Sequence, residues 1–202
     1  MINLSDYKRI HCIGIGGIGL SAIAEILMSR GYEVSGSDMR ESDMTEKLMR
    51  DGADIYLGHR AKNVEGKDLV VYSSAVGADN PELVRAAELG IPAVTRAQAL
   101  GALMDEYDNS IAISGTHGKT TTTSMVSLIL KNAEKKPTIL VGGNLSEING
   151  NVYVGGSDYF VTEACEYTNS FLHFHPKYSI ITSVEAEHLD FFKDIDDIRR
   201  SF

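Results

Sequence analysis

The stretch that decides the fold runs Ile113-Ser-Gly-Thr-His-Gly-Lys-Thr-Thr-Thr-Thr123. An apolar run stops at Gly115, the chain turns through Gly118, and Lys119 and Thr120 open a segment with helical apolar spacing. A glycine turn lets backbone N–H groups point at phosphate oxygens, and a helix N-terminus adds partial positive charge. The lysine can reach the β- and γ-phosphates, and a hydroxyl can ligate Mg²⁺. The stretch therefore predicts a triphosphate site between a strand and a helix.

The spacing of this loop is shorter than the common Gly-x-x-x-x-Gly-Lys-Thr pattern, because Ile113 stands where the first glycine would be. A purely structural interpretation, a glycine-rich turn followed by a helix-capping threonine, stays open. Four consecutive threonines are poor helix formers, so helix propensity does not explain them. The pattern favours phosphate binding.

Composition narrows the class of protein. The chain has 202 residues, which is enough for one large or two small domains. Its residues are 43% hydrophobic and 23% charged. Its net charge of −9 argues against nucleic acid or a membrane surface as a partner. Two cysteines, Cys12 and Cys165, do not suggest a disulfide framework. No signal-peptide region or apolar run near ~18 residues is present, so we expect a cytoplasmic protein.

Strand-like and helix-like segments alternate along the first half, which predicts a parallel sheet with helices on its faces. A polar stretch at 105–109 follows the last helix of this half. We therefore predict an α/β protein with a Rossmann-like parallel-sheet domain over 1–106 and an incomplete P-loop-type ATP-binding domain over 107–202. The predicted strands are 10–15, 33–37 and 68–73, and the predicted helices are 18–30, 42–51, 80–89 and 97–104.

The second half continues the alternation and ends inside a helical pattern. A helix to about residue 133 precedes predicted strands at 137–141, 159–163 and 178–182. The last predicted helix, 195–202, has no glycine, proline or polar tail to end it. We expect the chain to be a fragment of a longer protein.

A second glycine cluster follows the first predicted strand. Gly14, Gly16, Gly17 and Gly19 fit the Gly-x-Gly-x-x-Gly pattern, and Asp38 ends the next strand. Such glycines permit close approach to a pyrophosphate, and the acid can bind ribose hydroxyls. The glycines could instead serve only strand–helix packing. The pattern predicts a diphosphate ligand without identifying it, so a nicotinamide oxidoreductase and an ATP-using enzyme both remain possible. A dehydrogenase needs no Mg²⁺-triphosphate loop, so the presence of the phosphate loop favours an ATP-using enzyme.

Two acidic segments follow later strands. Glu166 comes just after a predicted strand, where a Mg²⁺ ligand would stand beside a phosphate loop. His188 adjoins Glu187 and could ligate a second metal ion. A solvated strand end and an ordinary histidine are the alternatives. His173 and His175 are interpreted as structural.

Several of these segments together resemble the Mur ligases of peptidoglycan synthesis, over essentially the whole chain. The resemblance rests on Ile13–Glu25, Val34–Asp38, Tyr72–Val76, Arg96-Ala, Gly115–Thr121, Glu163–Glu166 and Glu187-His188. Within the family, a histidine in the phosphate loop, here His117, is similar to that of the alanine-adding member and of the relative that recycles muropeptides. One departure is Glu187, since family members usually carry aspartate before the histidine.

The resemblance implies a role for each matched residue. The diphosphate contacts would be Gly14, Gly16, Gly17 and Gly19, with Ser37 and Asp38 near the nucleoside and His59, Ser73, Ser74 and Arg96 as further UDP-sugar contacts. The ATP contacts would be Gly115, Thr116, His117, Gly118, Lys119, Thr120 and Thr121. The catalytic residues would be Lys119, Glu166 and His188, and the metal ligands Thr120, Glu166 and His188.

The reaction implied by the resemblance is ADP-forming amide synthesis from UDP-N-acetylmuramate, ATP and L-alanine, with Mg²⁺. Family members are roughly twice this length or more, and a third domain carries the amino-acid site. We expect the 202 residues alone to bind UDP-sugar, and a nucleotide weakly, without ligase activity. The alternatives are a muropeptide-recycling ligase, a Rossmann oxidoreductase and a non-catalytic UDP-sugar-binding module.

Overall fold

The structure is a computed structural model that describes residues 2–202. Backbone contacts divide the chain into two compact units, one reaching to Leu100 and the other running from Gly101 to Phe202. This division falls inside a helix, Arg96–Met104, whereas the domain boundary predicted from the sequence follows that helix. The boundary at residues 106 and 107 stays a prediction.

The first unit is built on a five-stranded parallel sheet in the order β3-β2-β1-β4-β5. This is the strand order of a Rossmann-type half, in which the order reverses between β1 and β4. The strands are β1 Arg9–Ile13, β2 Glu33–Asp38, β3 Asp54–Leu57, β4 Leu69–Tyr72 and β5 Ala93–Thr95. The helices are α1 Ile18–Ser29, α2 Asp43–Arg50, α3 Pro81–Leu89 and α4 Arg96–Met104.

Helix ends in this unit follow from local sequence signals. Ser42 and Thr45 form a reciprocal capping box at the start of α2. Asn80 caps α3 through its side-chain oxygen, with Pro81 at the first helical position. Gly90 then ends α3 in the left-handed conformation.

The second unit has a mixed five-stranded sheet in the order β10-β6-β9-β7-β8. Four strands are parallel, and β8 pairs with β7 in the antiparallel sense. The strands are β6 Asn109–Ser114, β7 Thr138–Leu145, β8 Gly150–Tyr153, β9 Tyr159–Glu163 and β10 Tyr178–Ile181, and the helices are α5 Lys119–Asn132 and α6 Ile195–Ser201.

The centre of the second sheet is apolar. Phe160 on β9 is fully buried, and its ring stacks on Tyr107 with centroids 5.0 Å apart. Helix α5 buries Thr123 and Ser127 rather than large apolar side chains. Small side chains on this face let the helix that follows the phosphate loop lie close to the sheet.

The α/β fold class is confirmed, and the strand predicted at 159–163 matches β9. Three strands were not predicted: β3, β5 and β8. No helix within residues 2–202 has the length and apolar character needed to cross a membrane.

Candidate functional site

The glycine turn of the first unit is held tightly against the end of β2. Gly14 has a φ of +81° and donates its N–H to the carbonyl of Ser37 at 2.8 Å. The N–H of Gly16 donates to Oδ2 of Asp38 at 2.9 Å, and a Cβ at Gly16 would lie 2.9 Å from that same oxygen. A side chain at residue 16 would therefore displace the Asp38 carboxylate, so contact with Asp38 favours glycine at this position.

An open cleft of about 410 Å³ lies over this turn. It sits where the strand order reverses between β1 and β4, the position at which open α/β sheets bind ligands. Six residues predicted as UDP-sugar contacts line it: Gly14, Gly16, Gly17, Asp38, His59 and Ser73. The other four predicted contacts, Gly19, Ser37, Ser74 and Arg96, lie outside this lining.

Two of those four residues have evident packing roles. Arg96 packs against Gly19, since a Cβ at Gly19 would lie 3.1 Å from the Arg96 guanidinium. The hydroxyl of Ser37 is fully buried and donates to Oε2 of Glu82 at 2.6 Å. Glu82 was not singled out in the sequence, because an acid two residues after Asn80 is an ordinary helix-start signal.

The phosphate loop of the second unit joins β6 to α5 and is fastened to the segment after β10. Gly115 has a φ of +125°, and the N–H of Thr116 donates to the carbonyl of Ser183 at 2.8 Å. The N–H of His117 donates to Oγ of Ser183 at 3.2 Å, and the N–H of Glu185 donates to Oγ1 of Thr116 at 2.8 Å. Ser183 and Glu185 therefore shape the loop. Glu185 belongs to the acidic segment before His188 that the sequence marked, whereas no short-range sequence pattern marked Ser183.

The start of α5 is open to an anion. Its N-cap is Gly118, at a φ of +82°, and within the described residues 2–202 no side chain caps the helix there. Thr120 and Thr121 lie exposed in the first turn. Backbone N–H groups of an uncapped first turn suit phosphate oxygens.

Lys119 reaches across the loop to an acid after β9. Its Nζ lies 3.0 Å from both carboxylate oxygens of Glu166, and it also donates to the carbonyls of Gly115 and Thr116. The Glu166 side chain is only 3% exposed, and that of Lys119 is 17% exposed. The structure thus brings together the predicted lysine and the predicted acid, which lie far apart in the sequence.

Glu166, Glu187 and His188 form a group that could hold a metal ion. Their ligand atoms all lie within 4.8 Å of one another, and Nε2 of His188 is 3.7 Å from Oε1 of Glu166. Two carboxylates and an imidazole fit a divalent cation by donor type. Glu187 thus falls within the group although aspartate is usual there. Thr120, predicted as a further ligand, is not part of this group.

Backbone conformation around this group is unusual. His188 has a φ of +55°, and Thr168 and Asn169 have φ values of +55° and +56°. The ring of Tyr167 lies 4.7 Å from that of His188, and its hydroxyl donates to Asp190 at 2.9 Å, which raises the pKa of Tyr167. Left-handed backbone at non-glycine residues is costly and is concentrated at functional sites.

Comparisons with known proteins identify the family of the chain. Residues 9–108 match the family model described as "Mur ligase family, catalytic domain", and residues 113–202 match "Mur ligase middle domain". A UDP-N-acetylmuramate–L-alanine ligase from Agathobacter rectalis is 58% identical over 202 residues, covering 100% of this chain and 44% of the relative. The chain thus spans less than half the length of that relative.

Two solved structures share the fold. A UDP-N-acetylmuramate-alanine ligase from Thermotoga maritima has a TM-score of 0.84 at 37% identity, over 96% of this chain and 45% of that one. A UDP-N-acetylmuramate:L-alanyl-gamma-D-glutamyl-meso-diaminopimelate ligase from Neisseria meningitidis has a TM-score of 0.85 at 29% identity. The match covers 97% of this chain and 66% of that one. From the two matched domains and these relatives, the chain belongs to the Mur ligase family.

Proposed function

We propose that this chain carries the UDP-sugar site and the ATP site of an ADP-forming ligase that joins L-alanine to UDP-N-acetylmuramate, in the cytoplasmic synthesis of peptidoglycan precursors. The observation that carries the proposal is the pairing of Lys119 with Glu166 beside an uncapped helix N-terminus, in a chain that also has a diphosphate-type glycine turn. The relatives named above support the choice of substrates.

In the first unit, the cleft over the glycine turn would hold UDP-N-acetylmuramate. N–H groups of the turn would face the diphosphate, and Asp38 lies at the end of β2, where an acid can accept hydrogen bonds from ribose hydroxyls. Asp38 now accepts the N–H of Gly16, so ligand binding would require that carboxylate to share or exchange its partner.

In the second unit, the phosphates of ATP would lie against the loop from Gly115 to Thr121. Lys119 is already at the loop, so a γ-phosphate would compete with Glu166 for its ammonium group. Thr120 from α5 and Glu166 would hold one Mg²⁺ ion, and His188, which lies in one group with Glu166 and Glu187, would hold a second. A bound Mg²⁺ ion would neutralise negative charge on the phosphate oxygens.

The chemistry requires a carboxylate to approach a triphosphate. The lactyl carboxylate of UDP-N-acetylmuramate would attack the γ-phosphorus and release ADP, and the amine of L-alanine would then displace phosphate from the acyl phosphate. Two like unit charges about 4 Å apart repel by ~4 kcal/mol at an effective dielectric near ~20. Lys119 offsets this repulsion and stabilises charge on the transferring phosphoryl group. No side-chain nucleophile is required.

A muropeptide-recycling ligase is the nearest alternative, because the Neisseria meningitidis structure superimposes as well as the Thermotoga maritima one. The 58% identity to an alanine ligase, against 29% to the Neisseria meningitidis protein, does not favour this alternative. The two activities differ in the group added to the lactyl carboxylate. The family assignment does not favour the oxidoreductase interpretation.

Calorimetric titration tests the proposal in the chain itself. UDP-N-acetylmuramate should bind to the wild-type protein, and NAD should not, because the cleft is proposed for a UDP-sugar. Lys119→Ala should abolish MgATP binding and leave UDP-N-acetylmuramate affinity within about twofold, since the two ligands occupy different units. Lys131→Ala, a lysine of the same helix that contacts the carbonyl of Glu147, is the matched control. Loss of both ligands in Lys119→Ala, or tighter binding of NAD than of UDP-N-acetylmuramate, would contradict the proposal.

A further inference from the structure

A buried polar cluster lies beside the cleft of the first unit and is centred on the carboxylate of Glu82. This side chain has no exposed surface. Its Oε2 accepts from Ser37 at 2.6 Å and lies 3.1 Å from Nδ1 of His59. Its Oε1 accepts from Asn63 at 2.6 Å and lies 3.4 Å from Nε2 of His11. Four polar side chains from three different parts of the unit thus converge on one carboxylate.

His59 connects this cluster to the cleft. Its side chain is 17% exposed and lines the cleft together with the glycine turn. Its contacts with the cluster run through Nδ1, which lies 2.9 Å from Oγ of Ser37 as well as 3.1 Å from Glu82. Nε2 is therefore the ring nitrogen left for a ligand in the cleft.

Proton counting fixes which nitrogen of His59 carries hydrogen. Ser37 has one hydroxyl proton, and the 2.6 Å contact commits it to Glu82. An ionised carboxylate only accepts hydrogen bonds. If Nδ1 of His59 had no proton, it would lie beside the Ser37 oxygen and the Glu82 carboxylate with no hydrogen to share with either of them. Nδ1 must be the donor, and the ring is then held with Nε2 in a defined direction.

The charge of Glu82 is secured by its donors. Burial by itself raises the pKa of Glu82, but contacts from His11, Ser37 and Asn63 outweigh that effect and lower it to about 2. Asn63 also donates to the carbonyl of Gly58 at 3.3 Å, so the same cluster restrains the turn that carries His59. The carboxylate is a fixed acceptor at neutral pH.

We propose that Glu82 is a positioning residue of the UDP-sugar site, which holds His59 as the Nδ1–H form so that Nε2 contacts the bound nucleotide. The inference rests on the proposed function, because it takes the cleft to be the UDP-sugar site. Glu82 itself is fully buried and does not line the cleft. A carboxylate behind an imidazole fixes ring orientation, and in metal sites the loss of such a partner typically costs about 10–100-fold in metal affinity or activity.

The test combines calorimetry with NMR of imidazole-¹⁵N-labelled protein. Glu82→Gln should weaken UDP-N-acetylmuramate binding by about tenfold. The glutamine amide would point an N–H donor at neighbouring groups that are themselves donors, so the ring of His59 would no longer be held. In a His59→Gln background, Glu82→Gln should change affinity by less than about twofold. Glu88→Gln, on the same helix and exposed, should bind like wild type. The wild-type spectrum should show His59 protonated at Nδ1, with Nε2 shifting when ligand is added.

The results distinguish a positioning role of Glu82 from a purely structural one. An equal loss from Glu82→Gln with and without His59 would mean a purely structural role and overturn the inference, as would wild-type affinity in Glu82→Gln. If Glu82→Gln does not fold, the wild-type spectrum still decides: proton on Nε2, or an unshifted Nε2 in the complex, overturns the proposal. Failure of the wild-type chain to bind UDP-N-acetylmuramate would contradict the proposed function, and the inference with it.

Discussion

At the residue scale, Gly115 is the most constrained position of the phosphate loop. Its φ is +125°, and a Cβ there would lie 2.3 Å from Oγ1 of Thr182 and 2.8 Å from the carbonyl of Ser183. Gly115→Ala should lower the free energy of unfolding by about 2–4 kcal/mol, from backbone strain and overpacking together. Urea denaturation followed by circular dichroism measures this difference.

The matched control is Gly150→Ala in β8. A Cβ at Gly150 would meet nothing within 4 Å, and the residue does not have the positive φ of Gly115. Its substitution should change stability by less than about 1 kcal/mol. Equal effects of the two substitutions would show that Gly115 is not held as described.

Site residues differ in how far sequence alone could identify them. The turn through Gly115 and Gly118 and the helix start at Lys119 were predictable because the phosphate-loop pattern is short and local. Ser183 and Glu82 were not, because each acts through a contact with a distant part of the chain. A serine after a strand and an acid at a helix start both have ordinary local explanations.

At the element scale, Asp68 fastens the start of β4 to β1. Its carboxylate accepts from the N–H groups of Lys8 and Arg9 and pairs with the Arg9 guanidinium at 2.7 Å. These contacts, the Arg9 side-chain hydrogen bond above all, lower the pKa of Asp68 to about 2. Since the carboxyl ionises near ~3.9 in an unfolded chain, its contribution is complete above that pH and is lost as pH falls towards about 2.

Asp68→Asn should therefore destabilise the chain at pH 7 and by progressively less between about pH 4 and pH 2. Thermal unfolding across that pH range measures the stability of the variant and of the wild type. Their difference isolates Asp68, because the contributions of the other carboxylates are the same in both proteins. The control is Glu33→Gln, which removes an exposed partner of Lys8 and should have little effect at any pH. A difference for Asp68→Asn that is the same at pH 2 and pH 7 would refute this assignment.

Burial explains the prediction of several strands, although β10 was also predicted and is largely exposed. Strands β1, β4 and β9 were found because each is a run of buried apolar residues. β3 was missed because none of its four residues is fully buried, and β5 because it has only three residues. β8 is half-buried throughout and opens on glycine, so its sequence carries no strand pattern.

At the scale of the whole molecule, each unit places one glycine turn at the carboxyl edge of its own parallel strands. In the first unit the turn follows β1 and lies under the cleft lined by His59 and Ser73. In the second it follows β6, with Glu166 and His188 nearby. We propose that the two turns belong to two separate nucleotide sites, one for a diphosphate sugar and one for a triphosphate.

Hydrogen–deuterium exchange of the wild-type chain with each ligand in turn tests that claim most directly. UDP-N-acetylmuramate should slow exchange in the segment from Gly14 to Gly19, and MgATP should slow it in the segment from Gly115 to Thr121, because bound phosphates would cover those N–H groups. The account predicts that neither ligand protects the other's segment. Protection of the same segment by both ligands, or of the Gly115 segment by UDP-N-acetylmuramate alone, would contradict it.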